Sequence, residues 1–214
     1  MSYGKFERIE QVSDKFGIKV KRTSFLEVID IKVDEFFLLR MGRALLKDVN
    51  FVNEDAIRQH IIAPILDIVS DNYEALEVWS EVTYTVDETM DLDGKPDYLI
   101  APYADNGGVS TPPICVMEAK EKDWKKGWAQ ALAEMYAAST QGANICYGVV
   151  TTGEFWQFAK LEEGKIFTRD PIKLSAIENL QKVLNTLNWL FNKANEQVQL
   201  ITSKLSENQR GQSN

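Results

Sequence analysis

The sequence predicts an α/β fold: a central β-sheet flanked by helices, with an α/β extension at the amino end and one long helix at the other. Three observations carry that expectation. Residues 98–101 (Tyr-Leu-Ile-Ala) and 114–117 (Ile-Cys-Val-Met) are short runs apolar in both side-chain registers, as strands covered on both faces are. Apolar residues at helical spacing recur before, between and after such runs. A chain of 214 residues, 44% hydrophobic, can bury one full core.

Taken in order, residues 5–16 predict a short helix, and residues 17–31 an extended segment with Ile18 and Val20, then Leu26 and Val28, in alternation. Residues 34–47 return to helical spacing through Phe37, Leu38, Met41, Leu45 and Leu46. Asn53 is a ready N-cap with Glu54 and Asp55 in the first turn, and Ile57, Ile61, Ile62, Ile65, Leu66 and Ile68 continue the helix, with a kink expected at Pro64. Residues 79–86 alternate as a strand, residues 91–94 make a turn, and residues 103–113, rich in Gly and Pro, close a hairpin between the two apolar runs. The Ala-rich stretch 124–139 favours helix. Residues 147–152, 154–161 and 165–168 read as three further strands, and residues 174–205 as a long helix. The organisation expected is an extension over 1–52 packing on a core over 53–170, a long C-terminal helix over 171–205, and a polar, disordered tail over 206–214.

Composition excludes several classes. A net charge of −8 argues against a protein that coats nucleic acid nonspecifically, because that affinity is supplied by positive charge. Nucleic-acid contact would have to be local, at residues 19–22 or at Lys120, Lys122, Lys125 and Lys126. No charged leader precedes an apolar run and no apolar stretch approaches the roughly 18 residues of a membrane helix, so a soluble, cytoplasmic chain with no membrane partner is expected. Cys115 and Cys146 both fall in apolar strand-like runs and read as inert core thiols. A single histidine, His60, cannot build a His-cluster zinc site, no Gly-x-Ser-x-Gly elbow supports a serine hydrolase, and Asn106-Gly107-Gly108 has no strand-to-helix phosphate motif around it. Trp124 and Trp128, at helical spacing, read as packing residues.

The chemistry concentrates in two strings, Gly94-Lys95-Pro96-Asp97-Tyr98 and Ile114-Cys115-Val116-Met117-Glu118-Ala119-Lys120. Side chains alternate along a strand, so Glu118 and Lys120 share a face and Ala119 takes the other. If the two arms pair antiparallel with Ala101 opposite Ile114, Asp97 falls opposite Glu118. Like charges at roughly 5 Å Cβ separation repel, and a divalent metal together with Lys120 would compensate them.

Pro96-Asp97, then Glu118-Ala119-Lys120 on the next strand, then an Ala-rich helix bearing Gln130, resembles the PD-(D/E)xK nuclease superfamily. Residues 54–66 look like the first core helix of the nuclease domain at the amino end of type I restriction-enzyme motor subunits, and residues 148–156 are similar to a strand-turn-strand in that group. The resemblance spans residues 53–161 and includes no helicase motor motif. It implies a restriction-endonuclease-like mixed sheet and metal-dependent hydrolysis of nucleic acid, DNA foremost. Asp97 and Glu118 would hold Mg²⁺ or Mn²⁺ with the backbone carbonyl of Ala119, and Lys120 would act on the attacking water or the phosphorane. Glu54 would be an outer acid or serve a second metal, and Gln130 would orient the lysine or contact phosphate, while Lys122, Lys125 and Lys126 would bind nucleic acid. The rival expectation is a noncatalytic module of the same fold that meets a protein partner, or a second copy as a homodimer, through its C-terminal helix.

Overall fold

The computed structural model describes residues 3–104, 107–110, 112–120 and 123–211, with side chains as far as residue 200. A 3₁₀ turn (Tyr3–Lys5), α1 (Ile9–Phe16), β1 (Lys19–Arg22) and α2 (Glu35–Leu45) form the amino-terminal part, followed by a 3₁₀ turn at Asp48–Phe51. Next come α3 (Glu54–Ile57), a π turn (Arg58–Ile62), α4 (Ala63–Ser70), β2 (Glu77–Ser80), β3 (Tyr84–Asp87) and β4 (Leu92–Gly94). The remainder is β5 (Tyr98–Ala101), β6 (Cys115–Ala119), α5 (Trp124–Thr140), β7 (Ile145–Thr151), β8 (Phe155–Glu162), β9 (Ile166–Ser175) and α6 (Ala176–Gly211).

Seven strands form one mixed sheet in the order β1-β9-β8-β7-β6-β5-β2, and β3 pairs with β4 in a separate ribbon. The β6/β7 and β1/β9 pairs are parallel and the other pairs antiparallel. A parallel pair needs a crossover, and α5 supplies it between β6 and β7. Helices cover both faces. On one, Leu99, Val116, Val150 and Phe167 meet Val12 of α1 and Trp128, Leu132 and Met135 of α5. On the other, Ile100, Met117, Val149 and Phe158 meet Met41, Ile61, Ile65, Leu187 and Leu190 from α2, the π turn, α4 and α6. Alternation within β5 and β6 divides the hairpin between these two layers, which is the pattern expected of doubly covered strands.

Several expectations are corrected. Residues 79–86 are not one strand: β2 ends at Ser80, Glu81 takes a left-handed turn (φ 51°), and β3 leaves the main sheet to pair with β4. The expected turn at 91–94 is a left-handed Asp91 (φ 63°) followed by the strand β4. The extended segment 17–31 holds its place: four of its residues pair as β1, and the remainder is tied by backbone bonds (Ile29 N–H to the Asn185 carbonyl, 3.1 Å) and by side chains, Phe25 N–H donating to Asp170 Oδ2 (2.9 Å) and Asn188 Nδ2 to the Ile29 carbonyl (3.1 Å). The strand expected over 165–168 runs on to Ser175, so the last helix starts at Ala176 rather than 171; its main stretch restarts at Asn179, whose Oδ1 accepts from Lys182 N–H (2.9 Å). That helix continues to Gly211 through the first part of the expected tail, and residues 212–214 lie outside the described residues.

The kink at Pro64 has a specific form. Proline lacks the N–H that would bond the His60 carbonyl and its ring crowds that group. The chain answers with a π turn in which Ala63 N–H reaches back to the Arg58 carbonyl. Both cysteines are buried, free thiols. Among the described residues no helix is long and apolar enough to cross a membrane.

Candidate active site

The hairpin pairs Tyr98 with Met117, Leu99 with Val116 and Ile100 with Cys115, the register in which Asp97 stands opposite Glu118. Asp97 precedes the first residue of β5 and is tied to β6 directly: Ala119 N–H donates to its Oδ2 (2.8 Å), and its own N–H lies 3.4 Å from Glu118 Oε1. N–H and C=O of one strand residue point to the same side, so the Ala119 carbonyl also turns toward the Asp97 side. Lys120 N–H points the other way, to the Thr151 carbonyl of β7 at 2.8 Å.

Lys120 closes the group. Its ammonium lies 3.0 Å from Glu118 Oε2, 3.8 Å from Asp97 Oδ2 and 4.0 Å from Glu54 Oε2. Glu118 and Lys120 are buried, whereas Glu54 is half exposed at the start of α3. Two glycines set these distances. A Cβ on Gly127 of α5 would stand 2.9 Å from Lys120 Cγ and from Val150 Cγ1, so the helix and the lysine stem pack together only because that position is bare. Gly153, in the β7–β8 turn, has φ 79° and would place a Cβ 2.8 Å from Ile57 Cγ2; the close approach seats α3, and with it Glu54, against the sheet end.

Two side chains complete the site that sequence reasoning missed. Glu134 of α5 is fully buried and shares a hydrogen bond with Glu118. It is the one charged residue between Gly127 and Thr140, and an acid alone on an Ala-rich helix packed against a sheet was the available signal. Arg58, in the π turn, donates to Asp97 Oδ1 at 2.6 Å, reaches Glu81 Oε1 at 3.0 Å and pairs with Asp55. Its backbone carbonyl accepts from Tyr98 Oη (3.2 Å). Arg58 and Glu81 both come from irregular backbone, a π turn and a left-handed residue, which is common where a chain is shaped around function.

The electrostatics follow from burial. Desolvation first, then the Asp97 charge, push the Glu118 carboxyl up to about 7 against the pull of Lys120. Desolvation and the Glu118 charge drive Glu134 well above the usual carboxylate range, so Glu134 is the protonated partner of the pair. Burial opposes the charged form of Lys120, but Glu118 and Asp97 outweigh it and its pKa is raised. Arg58 is raised in the same way, by Asp97 and Asp55 against desolvation.

Other expected residues are placed elsewhere or lie apart. Gln130 is one turn before Glu134, but its Nε2 points toward Gly4, and among the described residues it makes no hydrogen bond to Asp97, Glu118 or Lys120. Lys122 lies outside the described residues. Lys125 is exposed and lines a shallow cavity with Arg8 and Arg169, and Lys126 pairs with Glu7 (3.3 Å). Trp128 is core, its indole N–H on Gln157 (2.8 Å), while Trp124 stacks under the Lys173 ammonium at 3.6 Å. Among known proteins, neither a family model nor a curated sequence matches this chain.

Proposed function

We propose that the chain is a metal-dependent nuclease of the PD-(D/E)xK type that hydrolyses phosphodiester bonds of nucleic acid, with DNA the favoured substrate. The observation that supports this is the convergence of the opposed Asp97 and Glu118 carboxylates on one buried ammonium, Lys120, at the end of a hairpin. A cluster of that kind raises the folded-state cost of its own charges, and a purely structural strand end has no need of it.

The donor set suits a hard divalent cation. Asp97 and Glu118 offer carboxylate oxygens that keep free lone pairs beyond those used by Arg58, Lys120 and the Ala119 N–H, and the Ala119 carbonyl turns to the same side. Among the described residues no three acidic, histidine or cysteine side chains gather into a metal site on their own, so water and substrate phosphate would complete the shell, as they do around Mg²⁺. When bound, Mg²⁺ or Mn²⁺ supplies water activation and neutralises phosphate charge. Lys120 stabilises negative charge developing on the phosphate oxygens and favours deprotonated water beside it. Protonated Glu134 donates to Glu118 and fixes its orientation. Arg58 occupies Asp97 Oδ1 from the π turn and competes with a cation for that oxygen, and Glu54 stands at the open edge as an outer acid.

One observation favours the noncatalytic alternative. Arg58 and Lys120 already set two cations against Asp97 and Glu118, so the inner acids are balanced without any metal. Cleavage assays separate the two readings. Wild type should cut labelled DNA or RNA with Mg²⁺ or Mn²⁺ and not with EDTA, and Lys120→Ala should lose about a hundred- to a thousand-fold in rate. Cleavage unchanged in Lys120→Ala would remove the lysine from the mechanism, and no cleavage by wild type with either metal would favour the noncatalytic module.

A further inference from the structure

Helix α2 is amphipathic, yet its apolar residues are not confined to the face it buries. Met41 and Leu45 do enter the core, with Phe37 and Leu38 packed at its edge. The opposite side stays open: Phe36 is 74%, Leu39 57% and Leu46 74% exposed, and Val49 (64%) and Val52 (62%) carry the surface onward. Exposed apolar area on this scale marks an interaction surface.

Grooves run along both sides of this ridge. One, of about 530 Å³, lies between α2 and the start of α6 and is lined by Leu38, Leu39, Leu46 and Leu180, with Glu35 and Arg43 as its charged residues. The other, of about 630 Å³, lies between α2 and the π turn and is lined by Phe36, Leu39 and Val49 together with Arg40, Arg43 and Lys47. The three basic residues are spaced three and four apart, forming a stripe beside the apolar one. All are exposed, none is in an ion pair among the described residues, and no carboxylate lines that groove, although the chain as a whole carries −8.

We propose that the outer face of α2 is a docking surface for an amphipathic helix of a partner protein, one whose apolar stripe is edged by Asp and Glu. Leucines and valines flanked by unpaired arginine and lysine fit that chemistry on both counts. A second copy docked through the same face would bring its basic stripe against this one, which opposes a twofold contact. Nucleic acid would leave Leu39, Leu46, Val49 and Val52 without a role, since aliphatic side chains do not stack bases as aromatic ones do. The surface leads through the Asp48–Phe51 turn to the Asn53 cap of α3, so a helix seated there lies beside the element that carries Glu54.

The test needs no metal and is independent of the nuclease reading. A fluorescein-labelled, lactam-stapled helix with Leu at i, i+3, i+4 and i+7 and Glu on both flanks is titrated with the full chain by anisotropy, beside the same peptide with Lys for Glu. The expected result is saturable binding of the Glu peptide alone, weakened about tenfold or more by Leu39→Ser with Leu46→Ser, and likewise by Arg40→Glu with Lys47→Glu. These positions are exposed, and circular dichroism confirms that the variants fold. Failure of the Glu peptide to bind, or equal binding of the Lys peptide, overturns the proposal. So does a concentration-dependent dimer in sedimentation that Leu39→Ser with Leu46→Ser abolishes, or oligonucleotide binding that Arg40→Glu with Lys47→Glu abolishes.

Discussion

The end of the β5–β6 hairpin and the outer face of α2 break the same rule in opposite directions. At the hairpin end, Glu118, Glu134 and Lys120 are charged or titratable groups drawn into the interior. On α2, Phe36, Leu39 and Leu46 are apolar groups left in water. Either departure weakens folding, since buried charge loses hydration and exposed apolar surface forgoes burial. The two differ in what they cost the free protein. The buried cluster is bound into the fold by hydrogen bonds and ion pairs, so changing one member disturbs the rest; Phe36, Leu39 and Leu46 keep more than half of their surface in water, so changing them should disturb the fold little.

The largest effect that would sharpen the contrast is at Lys120. Lys120→Met keeps the stem but leaves the buried Glu118, beside Asp97, without its ammonium, and should cost about 3 kcal/mol or more of metal-free stability at pH 8. At pH 5, where Glu118 is protonated, the loss should shrink; an equal loss at both pH values by urea denaturation would contradict the charge argument.

The pH dependence of the wild type follows with its sign. Glu118 rises from an ordinary 4.5 to about 7 on folding, and Glu134 is also raised well above the usual carboxylate range. In that window the folded chain holds more protons than the unfolded one, so metal-free stability falls as pH increases, by up to about 1.4 kcal/mol per pH unit for each proton. Glu134→Gln removes one titrating group and offers Glu118 a permanent donor, so the slope in EDTA should flatten. An unchanged slope would detach Glu134 from the pair.

Packing gives the next effect. Gly127→Ala forces a methyl against Lys120 Cγ and Val150 Cγ1 and should cost about 1–3 kcal/mol, read as a lowered thermal midpoint. Arg58→Met frees Asp97 Oδ1 and should tighten Mn²⁺ binding severalfold by calorimetry; weaker binding would mean that Arg58 positions Asp97 for the metal more than it competes with it. Smallest of all, Leu39→Ser with Leu46→Ser should shift stability by no more than about 0.5 kcal/mol. A substantial loss there would show that α2's outer face supports the fold.

The same contrast explains what could be read in the sequence. Period-two and helical patterns exposed most elements, and the register assumed for the Pro-Asp and Glu-x-Lys strings, with Ala101 opposite Ile114, is the one β5 and β6 follow. The failures share a cause: each depended on one backbone angle or one distant contact. The left-handed turn at Glu81 splits an alternating run that propensity reads as continuous. Gln130 and Glu134 are equivalent by helical period, and only the packing of α5 on β6 decides that Glu134, rather than Gln130, reaches Glu118. Arg58 was hidden in an apolar helix whose phase is reset by the π turn at 58–62. The helical pattern of α2 was legible, but which of its apolar sides lies bare depends on how it rests against α6 and the π turn.

The most direct measurement of the central claim is a calorimetric titration of Mn²⁺ into the wild-type chain and into Asp97→Ala. The account predicts saturable binding by the wild type and its loss in Asp97→Ala, with both proteins folded by circular dichroism. No binding by the wild type, with or without an oligonucleotide, or equal binding by Asp97→Ala, would contradict the assignment of Asp97 and Glu118 to a metal-dependent site.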